Sequence, residues 1–183
     1  RRGYRGGQGA APLKENLAAA ILLRAGWPAI AATGGAFVDP MCGSGTFAIE
    51  AALIAANIAP GLSRKGFGFE RWKQHDAGSW QAIRTEAQSQ SAPELLTRGR
   101  IRGFDRDPVV LRDAALNAER AGLADRILFQ RSELANLPAA PAPTGLIAVN
   151  PPYGERIGET EELRTLYALL GERLRVGYRG WEA

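Results

Sequence analysis

The stretch Ala36-Phe37-Val38-Asp39-Pro40-Met41-Cys42-Gly43-Ser44-Gly45-Thr46 decides the fold. A short apolar run ends in an acid, Pro40 breaks it, and a turn with Gly43 and Gly45 follows. Thr46–Ile58 then continues as a strongly apolar segment closed by Pro60-Gly61, so the local pattern is strand, glycine turn, helix. The turn is too short for a phosphate-binding P-loop and lacks its lysine. Its two glycines let the backbone approach a ligand without a Cβ in the way.

The same unit recurs downstream. Arg100–Phe104 predicts a strand that ends in Asp105, and Pro108–Ala121 predicts a helix with Val109, Leu111, Ala115, Leu116 and Ala118 as its apolar positions. Ile127-Leu128-Phe129 is a third strand. Leu146–Val149 is a fourth, reached through the stiff connector Pro138–Pro143, and Glu161–Arg175 predicts a last helix. Upstream, the spacing of Leu13, Leu17, Ala20, Ile21 and Arg24 predicts a helix beginning at Pro12 and stopped by Gly26, with Trp27–Gly35 as a loop. Strands alternating with helices of this length imply an α/β fold, with a doubly wound, mostly parallel sheet. Phe69–Ser89 reads as an insertion holding one or two short helices. The chain stops at Gly177–Ala183, where a fifth strand is expected, so truncation after the fourth strand is expected too. Arg1–Ala11, basic and glycine-rich, reads as a flexible linker from something upstream, which leaves 12–183 as a partial catalytic domain.

Composition narrows the chemistry. The chain of 183 residues is 45% hydrophobic and 23% charged, enough for one well-buried core. Cys42 is the only cysteine and His75 the only histidine. An intrachain disulfide and a cysteine-rich metal site are therefore excluded, and a Ser-His-Asp triad is disfavoured; a reducing, cytoplasmic setting fits. No apolar run approaches the ~20 residues needed to span a bilayer. Net charge is +4, nearly all from arginine, because Lys14, Lys65 and Lys73 are the only lysines. That balance suits phosphate contacts and equally suits a solvated surface.

Three polar side chains fall at strand ends, where open α/β sheets bind ligands: Asp39, Asp105 and Asn150. Asp105 stands where related folds place an acid on ribose hydroxyls, while Asp107 is expected to cap the helix that starts at Pro108. Asn150-Pro151-Pro152-Tyr153 is the sharpest signal. Its two prolines fix the backbone and remove donors. The Asn150 side-chain carbonyl and the Pro151 carbonyl can then both accept from a single –NH2 group. An amine conjugated to a ring is a poor nucleophile, and two acceptors on its hydrogens aim its lone pair at an electrophile. Tyr153 can stack on the ring that carries the amine. These four residues alone do not choose among adenine, guanine and glutamine.

The strand-end acid, glycine turn and Asn-Pro-Pro-Tyr resemble the amino-methyltransferases of the class I Rossmann-like superfamily. More narrowly, Pro12–Ala18, Asp39–Thr46, Phe67–Trp72 and Asn150–Glu159 resemble the bacterial large-subunit (23S) ribosomal RNA guanine-N2 methyltransferases. That resemblance implies S-adenosyl-L-methionine as cofactor, large-subunit ribosomal RNA as partner, and neither a metal nor a membrane. It also implies a THUMP RNA-binding domain upstream and a second methyltransferase domain downstream. Within the chain it implies that Asp39, Pro40, Cys42, Gly43 and Gly45 hold the methionine end, with Ser44 and Thr46 lining it. Lys14, Glu15 and Asn16 would lie near the cofactor carboxylate and amine, and Asp105 would hold the ribose. Glu133 stands where such enzymes often carry an aspartate facing the adenine amine, a departure in side-chain length. Asn150, Pro151, Pro152 and Tyr153 would orient the target guanine amine. An adenine-N6 methyltransferase and a nucleic-acid-binding module with a vestigial pocket remain as rivals.

Several further residues read as structural. His75 is expected at a surface or helix end, Trp72 and Trp80 as packing anchors, and Cys42 as a small residue that fits the turn. Glu155-Arg156 suits a local ion pair. Arg1, Arg2, Arg5, Arg64 and Lys65 are the candidates for phosphate contact.

Overall fold

The computed structural model describes residues 2–6, 13–152 and 159–183. Four parallel strands, β1 (Ala36–Asp39), β2 (Ile101–Asp105), β3 (Ile127–Arg131) and β4 (Gly145–Ile147), form a sheet in the order β3-β2-β1-β4. The chain builds outward from β1 on one side and then returns to its other side, so the order reverses between β1 and β4. Helices on both faces of this parallel sheet make it a doubly wound α/β fold. Beyond β4, Glu182 forms an isolated parallel bridge with Leu146, with its amide donating to Gly145 O (3.0 Å). The sheet position where a fifth strand was expected is thus occupied by the last described residues.

Alternation along β1 explains the two layers. Phe37 pairs in register with Ile101 and Leu146, and all three enter a core packed by α1 (Glu15–Arg24), α2 (Trp27–Ala32), α3 (Thr46–Ala55) and α5 (Pro108–Arg120). Val38 points the other way with Ile147 and Phe104, onto the turn at Leu134–Asn136 and onto α6 (Glu159–Gly177). Tyr178 closes this second layer by donating its hydroxyl to Pro138 O (2.6 Å), and the Trp181 indole donates to Ala142 O (3.0 Å). Both anchors fix the proline-rich connector that precedes β4.

Four expectations change. Trp27–Gly35 is not all loop. Pro28 sits in the first turn of α2, where a missing N–H costs nothing, and buried Trp27 donates its indole N–H to Ala51 O (2.8 Å). Helix α1 buries Ala18, Ala19 and Leu22 against α3, whereas Leu17 and Ile21 are exposed. On α5 the buried side chains are Ala114, Asn117 and Ala118, and Val109 and Leu116 face outward. Close packing of alanines, rather than the larger apolar residues, sets which face turns inward.

The fourth change concerns residues 2–6, expected as part of a loose lead-in. Tyr4 is buried and donates its hydroxyl to Glu50 Oε1 (2.9 Å), and Arg2 pairs with the same carboxylate (2.9 Å). The insertion contains a 3-10 turn at Gly68–Arg71 and α4 (Ala77–Ser89), whose first amides bond to the Asp76 side chain.

Candidate active site

The glycine turn is fixed by bonds reaching far along the chain. Cys42 N donates to Phe104 O (2.8 Å) and Gly43 N to Asp105 Oδ2 (2.9 Å), tying the end of β1 to the end of β2. Asn117 of α5 donates to Ser44 O (3.1 Å) while its Oδ1 accepts from Gly6 N (3.1 Å). Arg5 donates to both Leu13 O (2.6 Å) and Thr46 Oγ1 (2.7 Å). Residues 2–6 thus strap the start of α1 to the start of α3. Arg2 and Arg5, candidates for phosphate contact, are spent on this strap.

Both turn glycines adopt positive φ, +50° at Gly43 and +82° at Gly45, for different reasons. A Cβ at Gly45 would lie 2.8 Å from the Phe129 ring and 3.0 Å from Ala114 Cβ, so tight packing excludes it. At Gly43 a Cβ would meet nothing within 4 Å, and the space beside it is open. Helix α3 then starts without a side-chain cap, leaving the positive end of its dipole uncompensated by a carboxylate.

A cleft of about 530 Å³ opens over the carboxyl ends of the strands. It brings together Asp105, Glu133, Asn150, Pro151 and Pro152 of the expected set, with Pro40 from the turn. Last in β4's ladder, Ala148 N donates to Val38 O (3.2 Å); beyond it the chain leaves the sheet into exposed Asn150 and half-buried Pro151. Tyr153, Glu155 and Arg156 lie outside the described residues. Asp105 Oδ1 also accepts from Asp107 N (3.0 Å), and Asp107 caps α5 through Val109 N (2.8 Å), as its spacing predicted.

The other described residues of the expected set are not in the wall of the cleft. Asp39, Cys42 and Thr46 are buried, and Gly43 and Ser44 are half-exposed. Lys14 and Asn16 are exposed at the start of α1, brought toward α3 by the Arg5 bridge. Burial pushes the Asp39 carboxyl up to about 8, and the Asp105 charge adds to the rise against the opposing Met41 amide. The Cys42 thiol is raised by burial as well, which suits a packing role rather than a nucleophile.

Met41, Arg106, Ser132, Leu134 and Leu166 also line the cleft and were not anticipated. Met41 and Arg106 sit beside strand-end acids, a usable signal. Leu166 comes from a helix 16 residues past Asn150, and only the fold brings it in. Among the described residues, no cluster of acids, histidine or cysteine could hold a metal, and no helix is long and apolar enough to cross a membrane.

Known proteins of similar sequence and fold identify the family. Residues 2–183 match the family described as RMKL-like, methyltransferase domain. Proteins named ribosomal RNA large subunit methyltransferase K/L are similar over the whole chain, at 55% identity in Allochromatium vinosum and 53% in Pseudomonas aeruginosa. The chain spans only 25% and 26% of their lengths. Among solved structures, SMU.472, described as a methyltransferase complexed with SAH, matches 99% of this chain at 39% identity with a TM-score of 0.87, and 45% of its own chain is covered. A Listeria monocytogenes protein predicted to be an N6-adenine-specific DNA methylase gives the same identity, coverage and score. The strand order, the glycine turn and a match over nearly every residue lead to one conclusion: this chain belongs to the RMKL-like methyltransferase domain family.

Proposed function

We propose that this domain transfers the methyl group of S-adenosylmethionine to the exocyclic N2 amine of a guanine in large-subunit ribosomal RNA. One observation carries the reading: Asp105, Glu133 and Asn150-Pro151-Pro152, from three separate strand ends, meet in one cleft where the strand order reverses. The names of the relatives and the SAH bound to SMU.472 support it. A relative's fourfold greater length supports further domains around this one, for which we propose the upstream THUMP and downstream methyltransferase domains, in a cytoplasmic protein.

The residues present fit the cofactor. The open side of Gly43 admits a ligand against the backbone, and the uncapped start of α3 suits a carboxylate. Asp105 uses one acceptor site on each oxygen for Gly43 and Asp107. A carboxylate has about four such sites, so two remain for ribose hydroxyls. Glu133 takes the adenine amine, and Lys14, Glu15 and Asn16 stand on the methionine side. When bound, the cofactor supplies an electrophilic methyl group. The chain's own task is alignment. Asn150 Oδ1 and Pro151 O accept the two amine hydrogens of a guanine turned out of its stack, Tyr153 stacks on the ring, and the proton departs to water after transfer.

Replacing Asn150 with alanine tests the reading. Methyl transfer into ribosomal RNA is expected to fall by ~100-fold or more, with calorimetric S-adenosylmethionine binding within about twofold of the parent. Near-normal transfer would overturn the amine-orienting role. Mass spectrometry of ribosomal RNA from a deletion strain identifies the base. Loss of an N2-methylguanosine supports guanine; loss of an N6-methyladenosine moves the reading to the activity for which the Listeria protein is named.

A further inference from the structure

The two insertion tryptophans part company in the structure. Trp80 is the packing anchor. Phe67 and Phe69 stack at 5.4 Å between centroids, and Trp80 sits edge-on to both at 5.2 and 4.9 Å. Glu70 locks this cluster by accepting from Phe67 N (2.9 Å) and from the Trp80 indole N–H (3.2 Å). Trp72 does the opposite. Trp72 is 69% exposed, whereas the other three tryptophans are buried or half-buried. Its backbone is nonetheless pinned, because Trp72 N donates to Phe69 O (2.9 Å) and Trp72 O accepts from His75 N (3.0 Å).

Charge around it is one-sided. Arg64, Lys65, Arg71 and Lys73 are all exposed, and among the described residues none pairs with a carboxylate. The acids of this segment are committed elsewhere: Glu70 inside the aromatic cluster and Asp76 to the amides that open α4. Arg64 lies over the Phe67 ring at 4.4 Å, which leaves its outer donors facing solvent. A rigidly mounted indole among unpaired cations matches how single-stranded nucleic acid is held, by stacking on one face and phosphate neutralisation around it.

We propose that Trp72, with Arg64, Lys65, Arg71 and Lys73, is a stacking platform for a single-stranded segment of the RNA substrate. The platform belongs to the segment that follows the carboxyl end of α3, whereas the glycine turn precedes its amino end, and none of the platform's residues lines the cleft. It therefore grips RNA flanking the target nucleotide and not the target base. This inference rests on RNA being the substrate.

The test is fluorescence anisotropy of the full chain with labelled single-stranded oligouridine of about 12 nucleotides, across a salt series. Trp72→Ala is expected to weaken binding about tenfold and Trp72→Phe much less. In an Arg71→Ala/Lys73→Ala variant the slope of log K against log salt falls by roughly 0.7 for each phosphate no longer neutralised. Circular dichroism and S-adenosylmethionine calorimetry check that the variants remain folded. Equal affinity of parent and Trp72→Ala overturns the proposal. So does binding of duplex RNA alone, no binding of RNA by the parent, or self-association that Trp72→Ala abolishes, which would make the surface a protein contact. A chain that stacks RNA on Trp72 yet transfers no methyl group keeps the platform and overturns the catalytic reading instead.

Discussion

The amide of Gly43 donates to Oδ2 of Asp105 at 2.9 Å, joining positions 62 residues apart. One carboxylate thus holds the glycine turn in shape and faces the cleft. Turn geometry and cleft lining meet in this one residue.

Asp105→Asn should therefore weaken S-adenosylmethionine binding by about 10- to 100-fold, because a charged acceptor is removed on both sides. Titration calorimetry reads this directly. Unchanged affinity would remove Asp105 from the ribose and leave it only its bond to the turn.

Alanine at the two turn glycines should separate folding from binding. Gly45→Ala combines a positive φ with a collision against Phe129 and Ala114, and should cost about 2–4 kcal/mol of stability in urea denaturation. Gly43→Ala meets no protein atom and should cost about 1 kcal/mol, from φ alone. Its methyl group projects into the open side of the turn, so cofactor affinity should fall more than stability does. Equal loss of affinity in both variants would argue that no ligand approaches Gly43.

Asp39 makes a signed prediction about pH. Its folded value of about 8 lies above the ordinary 3.8, so the folded chain keeps a proton that the unfolded chain releases between those values. Its contribution to stability is complete below about pH 4 and is lost as pH rises to about 8. Glu50, also raised by burial, acts in the same direction. Asp39→Asn should flatten the decline relative to the parent, gaining most at pH 8. Parallel denaturation curves at pH 5 and pH 8 suffice, and an unaltered slope would show that Asp39 is ionised in the fold.

Tyr4→Ala distinguishes a strap from a tail. Removing a buried aromatic ring and its bond to Glu50 should cost about 3–5 kcal/mol. A tail would tolerate the change with no shift in the thermal midpoint.

What the residues disclosed depended on how local the cause was. The β1 strand, its turn and α3 were legible because an apolar run, an acid, two glycines and a second apolar run follow one another without interruption. Asp107 was legible as a cap for the same reason, since its partner is two residues away. The inward face of α1 was not. Leu17 and Ile21 have helical spacing, but α3 offers alanines, and only Ala18, Ala19 and Leu22 approach closely enough to pack. Tyr4 was hidden because its partner lies 46 residues on. The cleft was half legible: acids and prolines at strand ends announce themselves, whereas Leu166 enters from a helix with no mark of its own. Trp72 and Trp80 looked alike until one acquired a cluster and the other did not.

The strap also has a consequence for the order of events at the ribosome. Gly6 and the Asn117 it bonds are separated by 111 residues, so at roughly 5–20 residues per second the strap waits about 6–22 s for its anchor to be made. Until then Ser44 O has no donor from α5. The glycine turn thus gains this support only after a helix residue 73 positions downstream of Ser44 has been made.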